Sequence, residues 1–143
     1  MVLVPFLEFP AVFFNGGPDD KPVSRSGELF VGSGTVMAEG ELVQTGVRAL
    51  SPVSGEVVWE YKMPQRVGSG QIGGVLTTAG DVAFVGDYET FYALDVHTGK
   101  PLWHVSLGGR INTGPVSFAV KGRQMVVISA GSTVFAFALP NPE

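Results

Sequence analysis

The sequence predicts an all-β fold, a partial β-propeller of about two and a half four-stranded blades, and three observations support this. First, one segment occurs twice, since Ala49–Trp59 and Ala93–Trp103 each read Ala-Leu, a turn ending in Gly, then Trp. Second, the copies lie 44 positions apart, and a period in the forties with one Trp per unit is typical of a propeller blade. Third, 20 Gly and 10 Pro among many Val and Phe favour short strands and turns over long helices.

Composition excludes several classes of site and partner. The 143 residues are enough for one domain with a core, and the net charge of −4 argues against a nucleic-acid partner. The absence of Cys excludes disulfides, thiolate metal sites and Cys nucleophiles. No His and carboxylate group has metal-ligand spacing, so we expect no metal site. No apolar run approaches the ~20 residues of a membrane span. The segment Met1–Phe14 lacks a basic start and is broken by Pro5 and Pro10, so we expect no signal peptide.

Residues 1–62 are predicted to form a partial blade with a long insertion at 9–45. The insertion is rich in Gly and Pro, and its length suggests a functional or interface element. It contains turn chemistry at Asn15–Asp20 and a candidate strand at Glu28–Gly32. The blade strands are predicted at Val2–Leu7, Gly46–Leu50 and Glu56–Lys62.

Residues 63–107 are predicted to form a complete blade, and residues 108–143 a second partial one. After a loop from Lys62 to Gly73, the complete blade has four predicted strands, at Val75–Thr78, Val82–Gly86, Thr90–Leu94 and Pro101–Val105. The last blade has three, at Pro115–Val120, Gln124–Ile128 and Thr133–Phe137. Trp59 and Trp103 are expected to pack between blades, with each indole N–H bonded to backbone.

The predicted strand count leaves two open sheet edges, because the first blade lacks its innermost strand and the last lacks its outermost. Open edges with apolar faces are an aggregation hazard unless they are covered. Copies joined head to tail must close into a ring or form fibres. We therefore expect a closed homo-oligomer, most simply a dimer, that completes the propeller by self-association.

Strand parity identifies the end of the blades at which a ligand site is expected. The loops at 9–45, 63–73, 86–90, 106–114 and 129–132 all emerge on one side, and the family resemblance described below implies that this side carries the funnel, where a ligand site is expected. Asp87 and Arg110 on this side are weak candidates for catalysis, since a turn cap and a solvated charge are the simpler interpretations. The other polar residues there are Gln65, Arg66, Gln71, Glu89 and Asn112. Neither histidine is well placed for this side, since His97 falls in an opposite loop and His104 in an outermost strand.

Two motifs resemble a known family. Ala93–Trp103 matches the repeated Ala-x-Asp-x-x-Thr-Gly-x-x-x-Trp motif of the pyrroloquinoline-quinone (PQQ)-dependent alcohol dehydrogenases, and Ala49–Trp59 departs from it at Ser51 and Ser54. Gly73–Gly80 and Gly122–Gly131 also resemble the last blades of these eight-bladed propellers. The resemblance covers most of the chain and is weakest at 9–45.

The resemblance implies a PQQ cofactor, a calcium ion, export to the periplasm and oxidation of an alcohol with an Asp as base. In relatives a Gly-Gly edge lines the quinone pocket, which gives Gly73 and Gly74 as cofactor contacts, although Ile72 stands where many relatives have Trp. Asn112, which opens the last blade near the axis, is a further candidate contact.

The family's calcium ligands and base lie in earlier blades, so we expect the isolated chain to hold neither cofactor nor calcium and to be no competent dehydrogenase. Two alternatives remain open. One is a homo-oligomeric propeller that acts as a binding scaffold. The other is a promiscuous hydrolase with its site at the ring funnel.

Overall fold

The computed structural model describes residues 1–14, 26–27, 34–37, 40–67 and 70–139, and all of the regular structure in them is β. The turn at Asn15–Asp20 and the strand at Glu28–Gly32 fall outside the described residues. The strands are β1 (Val2–Glu8), β2 (Ala11–Phe14), β3 (Gly34–Met37), β4 (Leu42–Leu50), β5 (Val57–Lys62), β6 (Arg66–Val67), β7 (Ile72–Thr77), β8 (Val82–Asp87), β9 (Thr90–Asp95), β10 (Pro101–Ser106), β11 (Val116–Val120), β12 (Arg123–Ala130) and β13 (Thr133–Ala138).

Three antiparallel sheets follow one another along the chain, as expected for a partial propeller. The first has the order β1-β4-β5, the second β10-β9-β8-β7 and the third β11-β12-β13. A separate two-stranded hairpin, β2-β3, lies within the predicted insertion. The all-β, partial-propeller fold predicted from the repeat is therefore confirmed, with three, four and three main strands in the successive sheets.

The structure corrects the sequence prediction where the first sheet leads into the second. Strand β4 begins at Leu42 instead of Gly46, and the predicted loop between Lys62 and Gly73 contains β6, which pairs with the start of β4. Strand β7 also begins earlier than predicted, at Ile72. Apolar alternation does not predict the start of β4, because the strand contains polar residues there, including the fully buried Thr45.

The two central strands of the second sheet, β8 and β9, are largely buried on both faces and so connect the two cores of the molecule. Toward the first sheet it presents Ala83, Val85, Tyr92 and Leu94, which pack with Val47 and Met63. Toward the third sheet it presents Phe91 and Phe84, which pack with Ile111 and residues of β12. The alternation along β8 and β9 thus serves two cores at once, which explains why these strands read as nearly continuous apolar runs.

The two sequence repeats also share a backbone irregularity. In the first sheet Ala49 pairs with Trp59 and Leu50 with Val57, so one extra residue bulges out just before the Trp. In the second sheet Ala93 pairs with Trp103 and Leu94 with Pro101, with a bulge at the same place. A bulge bends the strand and re-aims the side chain that follows. The two repeats are therefore alike in backbone structure as well as in sequence.

Within the part of the chain that the structure describes, no helix is long and apolar enough to cross a lipid bilayer.

Candidate functional site

Four connections meet at one end of the sheets, the end that strand parity assigns to a funnel. Three backbone hydrogen bonds join them: Tyr88 N donates to Gln71 O (3.0 Å), Ile111 N to Tyr88 O (2.6 Å), and Gly131 N to Arg110 O (2.8 Å). Gly86 makes this close packing possible, because an ideal Cβ there would lie 2.2 Å from Cγ2 of Ile111. The loops around residues 71, 88, 110 and 131 therefore form one continuous surface built on three sheets.

Asp87 lies at the centre of this end and is fully buried, with 0% exposure. Its Oδ1 accepts a hydrogen bond from Thr45 Oγ1 (2.8 Å), and its Oδ2 accepts one from Arg66 Nη2 (2.5 Å). Burial raises the pKa of the Asp87 carboxyl above its ordinary value, in opposition to the Thr45 hydroxyl and the Arg66 guanidinium, which favour the charged form. Asp87 thus ties the first sheet and its following loop to the second sheet.

Two arginines converge on the ring of Tyr88. The guanidinium carbon of Arg66 lies 4.7 Å from the ring centroid, and that of Arg110 lies 5.2 Å from it. Both distances are in the range of a cation–π contact. Tyr88 itself has φ +55°, a left-handed conformation that is uncommon for a residue with a side chain. The hairpin between β8 and β9 is thereby shaped to hold this ring between the neighbouring loops.

The glycines expected to contact a cofactor lie where two segments of backbone run side by side. An ideal Cβ on Gly73 would be 2.4 Å from the carbonyl oxygen of Thr113, and one on Gly74 would be 3.2 Å from Cα of Gly114. Gly73 is buried, whereas Gly74 and Asn112 are exposed. The space that the missing Gly73 side chain leaves is filled by the backbone of Thr113, whereas Gly74 and Asn112 have exposed surface.

The structure of the repeated turn explains the side-chain chemistry of the two motifs. Asp95 Oδ1 accepts hydrogen bonds from the amides of His97 and Thr98 and from the Thr98 hydroxyl, at 3.0, 2.8 and 2.8 Å. These bonds lower the pKa of the Asp95 carboxyl, the Thr98 hydroxyl having the largest effect. In the other copy Ser51 Oγ accepts longer bonds, of 3.4 and 3.2 Å, from the amides of Val53 and Ser54. The departures at Ser51 and Ser54 therefore keep the turn and weaken its cap.

Trp59 connects the first sheet to this turn in the second. Its Nε1 donates to Val96 O (2.9 Å), and its ring lies against Gly99, whose φ is +71°. Trp103 occupies the same position in the second repeat but is 41% exposed and packs edge-on against Phe91 and Phe137. Beside it a groove of about 940 Å³ opens between the second and third sheets.

The histidines and carboxylates add no second centre among the described residues. His97 lies in the β9–β10 turn, with its Nε2 3.3 Å from Asp81 Oδ1, and His104 stacks on Tyr92. No group of three or more potential His, Cys, Asp or Glu ligands occurs in the described ranges.

Sequence reasoning missed two of the side chains that meet at the funnel end, those of Thr45 and Tyr88. Thr45 was assigned to the insertion, yet its hydroxyl is the partner of Asp87, 42 residues further along the chain. Tyr88 falls within the predicted loop at 86–90, and no local pattern marks it as the ring that both arginines contact. The polar residues Arg66, Gln71, Asp87 and Arg110 were predicted to lie on this side, and the structure brings them together.

Comparison with known proteins gives a consistent answer. Residues 51–126 match the sequence profile of the PQQ family of glucose, ethanol and alcohol dehydrogenase β-propeller domains. The chain is 36% identical over 86 residues to a quinoprotein ethanol dehydrogenase of Pseudomonas aeruginosa, covering 59% of this chain and 13% of that protein. It is 34% identical over 109 residues to quinoprotein alcohol dehydrogenase PedH of Pseudomonas putida, covering 75% and 18%.

A solved structure supports the fold. Quinohemoprotein alcohol dehydrogenase ADHIIG of Pseudomonas putida HK5 superposes with a TM-score of 0.70 at 22% sequence identity, covering 92% of this chain and 20% of that one. The chain thus spans about a fifth or less of the length of these relatives. Since the family profile matches more than half of the sequence, the chain belongs to the PQQ-dependent dehydrogenase β-propeller family.

Proposed function

We propose that the chain contributes three adjacent sheets to the propeller of a PQQ-dependent dehydrogenase that oxidises an alcohol in the periplasm. The observation that carries this proposal is the family match over residues 51–126, which includes the whole second sheet and three of the four loops that meet at the funnel end, those around residues 71, 88 and 110. Relatives named quinoprotein ethanol and alcohol dehydrogenases support alcohols as the substrate class.

In this proposal, PQQ contacts the exposed residues Gly74 and Asn112. PQQ, when bound, supplies the two-electron redox chemistry that an alcohol oxidation needs. Gly74 offers backbone without a side chain to a flat ring, and the Asn112 amide offers a donor and an acceptor. Gly73 contributes indirectly, because the absence of a Cβ lets β7 lie against the backbone of Thr113.

Asp87 is proposed to position Arg66 and not to act as the base. Both of its oxygens already accept hydrogen bonds within the protein, and it has no exposed surface through which to meet a substrate. We propose that the calcium ligands and the base come from other blades of the complete propeller. The isolated chain is then no competent dehydrogenase.

These proposals are tested by a binding assay that does not depend on catalytic turnover. PQQ is titrated into the full chain and binding is followed by equilibrium dialysis, for the native sequence, for Asn112→Ala and for the distant control Arg123→Gln. The sequence alone leads us to expect no cofactor in the isolated chain. The exposure of Gly74 and Asn112 leads us to propose the opposite, namely saturable PQQ binding that Asn112→Ala weakens and Arg123→Gln leaves unchanged. Absence of saturable binding would refute the cofactor site. Reduction of a dye by alcohol with added PQQ and calcium would refute the proposed lack of competence.

As an alternative to the dehydrogenase, we propose that copies of the chain alone associate through their open sheet edges into a closed ring, most simply a dimer. Exposed apolar residues lie on both open-edge strands, with Val2 at 48% in β1 and Val134 at 69% in β13. Such edges pair readily with another chain. Light scattering on a size-exclusion column over a range of concentrations tests this, and a purely monomeric species would refute it.

A further inference from the structure

Positive charge is in excess in the cluster formed by Arg66, Gln71, Asp87, Tyr88 and Arg110, here called the arginine cluster. Among the described residues, Asp87 is the one carboxylate in a salt bridge with either arginine, and it contacts Arg66 alone. Arg110 is exposed and contacts the Tyr88 ring. One of the two cations therefore has no anionic partner in the described part of the chain.

Two buried polar atoms of the cluster have no hydrogen-bond partner in the described structure. They are Nη1 of Arg66, a donor, and Oε1 of Gln71, an acceptor. Buried polar atoms are nearly always paired with protein, water or a ligand. Because Arg66 Nη2 is fixed by Asp87, the orientation of its guanidinium is set while Nη1 is left over. The unpaired donor is thus held in a defined direction.

Backbone hydrogen bonds hold together the loops around residues 71, 88 and 111 at the funnel end. The amide of Tyr88 bonds to Gln71 O, and the amide of Ile111 bonds to Tyr88 O. The guanidiniums of Arg66 and Arg110 both contact the Tyr88 ring, so the segments that carry the two arginines are held together. Planar guanidinium N–H donors match carboxylate oxygens, so an exposed arginine without an anionic partner is suited to bind a carboxylate.

We propose that the arginine cluster binds the carboxylate of a small organic anion. The exposed Arg110 guanidinium donates to the carboxylate, and Arg66, which Asp87 holds in position, adds positive charge beside the same Tyr88 ring. Arg66 Nη1 and Gln71 Oε1 are buried, so they pair with the ligand only where it displaces the surface that covers them. This site does not require a quinone. The carboxylate comes either from a free acid or from PQQ, which is itself a carboxylic acid, and only the second source rests on the proposed function.

Oxalate is the probe for the free acid, titrated calorimetrically into the full chain at low ionic strength. The test variant is Arg110→Gln, because Arg110 is exposed and its removal leaves the buried Asp87–Arg66 pair intact. Arg66→Gln is a poorer test, since it leaves the Asp87 carboxylate buried with one oxygen unpaired. The matched control is Arg123→Gln, whose guanidinium donates to Leu139 O at the opposite end of the third sheet. Circular dichroism checks the fold of each variant.

We expect saturable oxalate binding that Arg110→Gln weakens by about tenfold or more, as for loss of a charge-assisted contact, and that Arg123→Gln leaves unchanged. No saturable oxalate binding by the native chain, as expected if a water fills the site, would overturn the proposal. Equal oxalate affinity in the two variants would also overturn it.

A second titration with PQQ distinguishes the sources of the carboxylate. If oxalate competes with PQQ and Arg110→Gln weakens both, the site takes a carboxylate of the quinone. If PQQ binds equally well to the native chain and to Arg110→Gln, the site takes a free acid. If oxalate binds and PQQ does not, the proposed cofactor function fails while the arginine cluster remains an anion site.

Discussion

Substitution of Gly99 by Ala gives a direct test of how the first and second sheets are joined. Gly99 has φ +71°, and an ideal Cβ at this position would lie 2.4 Å from Cε3 of the Trp59 ring. Such a contact is impossible without movement of the indole. Because Trp59 Nε1 donates to Val96 O, movement of the ring also disturbs this hydrogen bond. The substitution therefore affects both packing and polar pairing between the sheets.

The expected cost is estimated from these separate effects. Left-handed backbone costs an Ala residue about 1–2 kcal/mol, of which about 0.4–1 kcal/mol is offset by the lower entropy of the unfolded chain. Overpacking against the Trp59 ring adds roughly 1–3 kcal/mol, and loss of the indole hydrogen bond adds about 1 kcal/mol. The effects that involve Trp59 thus sum to about 2–4 kcal/mol beyond the backbone cost.

Gly55→Ala is the matched control, because Gly55 has φ +74° in the equivalent turn and no atom lies within 4 Å of its ideal Cβ. Both variants carry the same backbone cost, so their difference isolates the contact with Trp59. Urea unfolding followed by circular dichroism measures the free energy of unfolding of each. We expect Gly99→Ala to be less stable than Gly55→Ala by about 2–4 kcal/mol. Equal stabilities, within about 0.5 kcal/mol, would refute the reasoning, since errors of that size are usual for such comparisons.

Three further predictions concern other contacts. Asp95→Asn should reduce stability at neutral pH. Because the pKa of Asp95 is lowered in the folded state, the greater stability of the native chain over the variant should fade as pH falls below the ordinary carboxyl value of 3.8. Thermal melts of both proteins from pH 7 to 3 measure this, and a difference in melting temperature that stays constant would contradict it. Thr45→Val should cost about 1–3 kcal/mol in urea unfolding, because it leaves a buried oxygen of Asp87 unpaired, whereas Thr45→Ser, which keeps the hydroxyl, should cost clearly less. The fluorescence of Trp59→Phe, in which Trp103 alone emits, should be quenched by acrylamide more readily than that of Trp103→Phe, and the reverse order would show that the exposed residue has been misassigned.

The sequence determined the class of fold, because the signals for it are local. Alternation of apolar residues and turn chemistry act over a few residues, so the strands of the second and third sheets were predicted to within a few positions of their observed ends. The repeat of Ala49–Trp59 at Ala93–Trp103 carried the same information over a longer range. It identified the equivalent turns, the tryptophans and the family before any contact was known.

The tertiary structure alone decided which residues meet. The bond between Thr45 and Asp87 joins positions 42 residues apart, and β6 exists only because β4 extends beyond its apolar pattern to receive it. Gly73 was expected to contact a cofactor, but whether its missing side chain makes room for a ligand or for Thr113 depends on the distance between two sheets. Such distances are set by packing among residues far apart in the chain, so no local pattern records them. Strand parity could place Arg66 and Arg110 at one end of the sheets, but only the folded chain brings both to the ring of Tyr88.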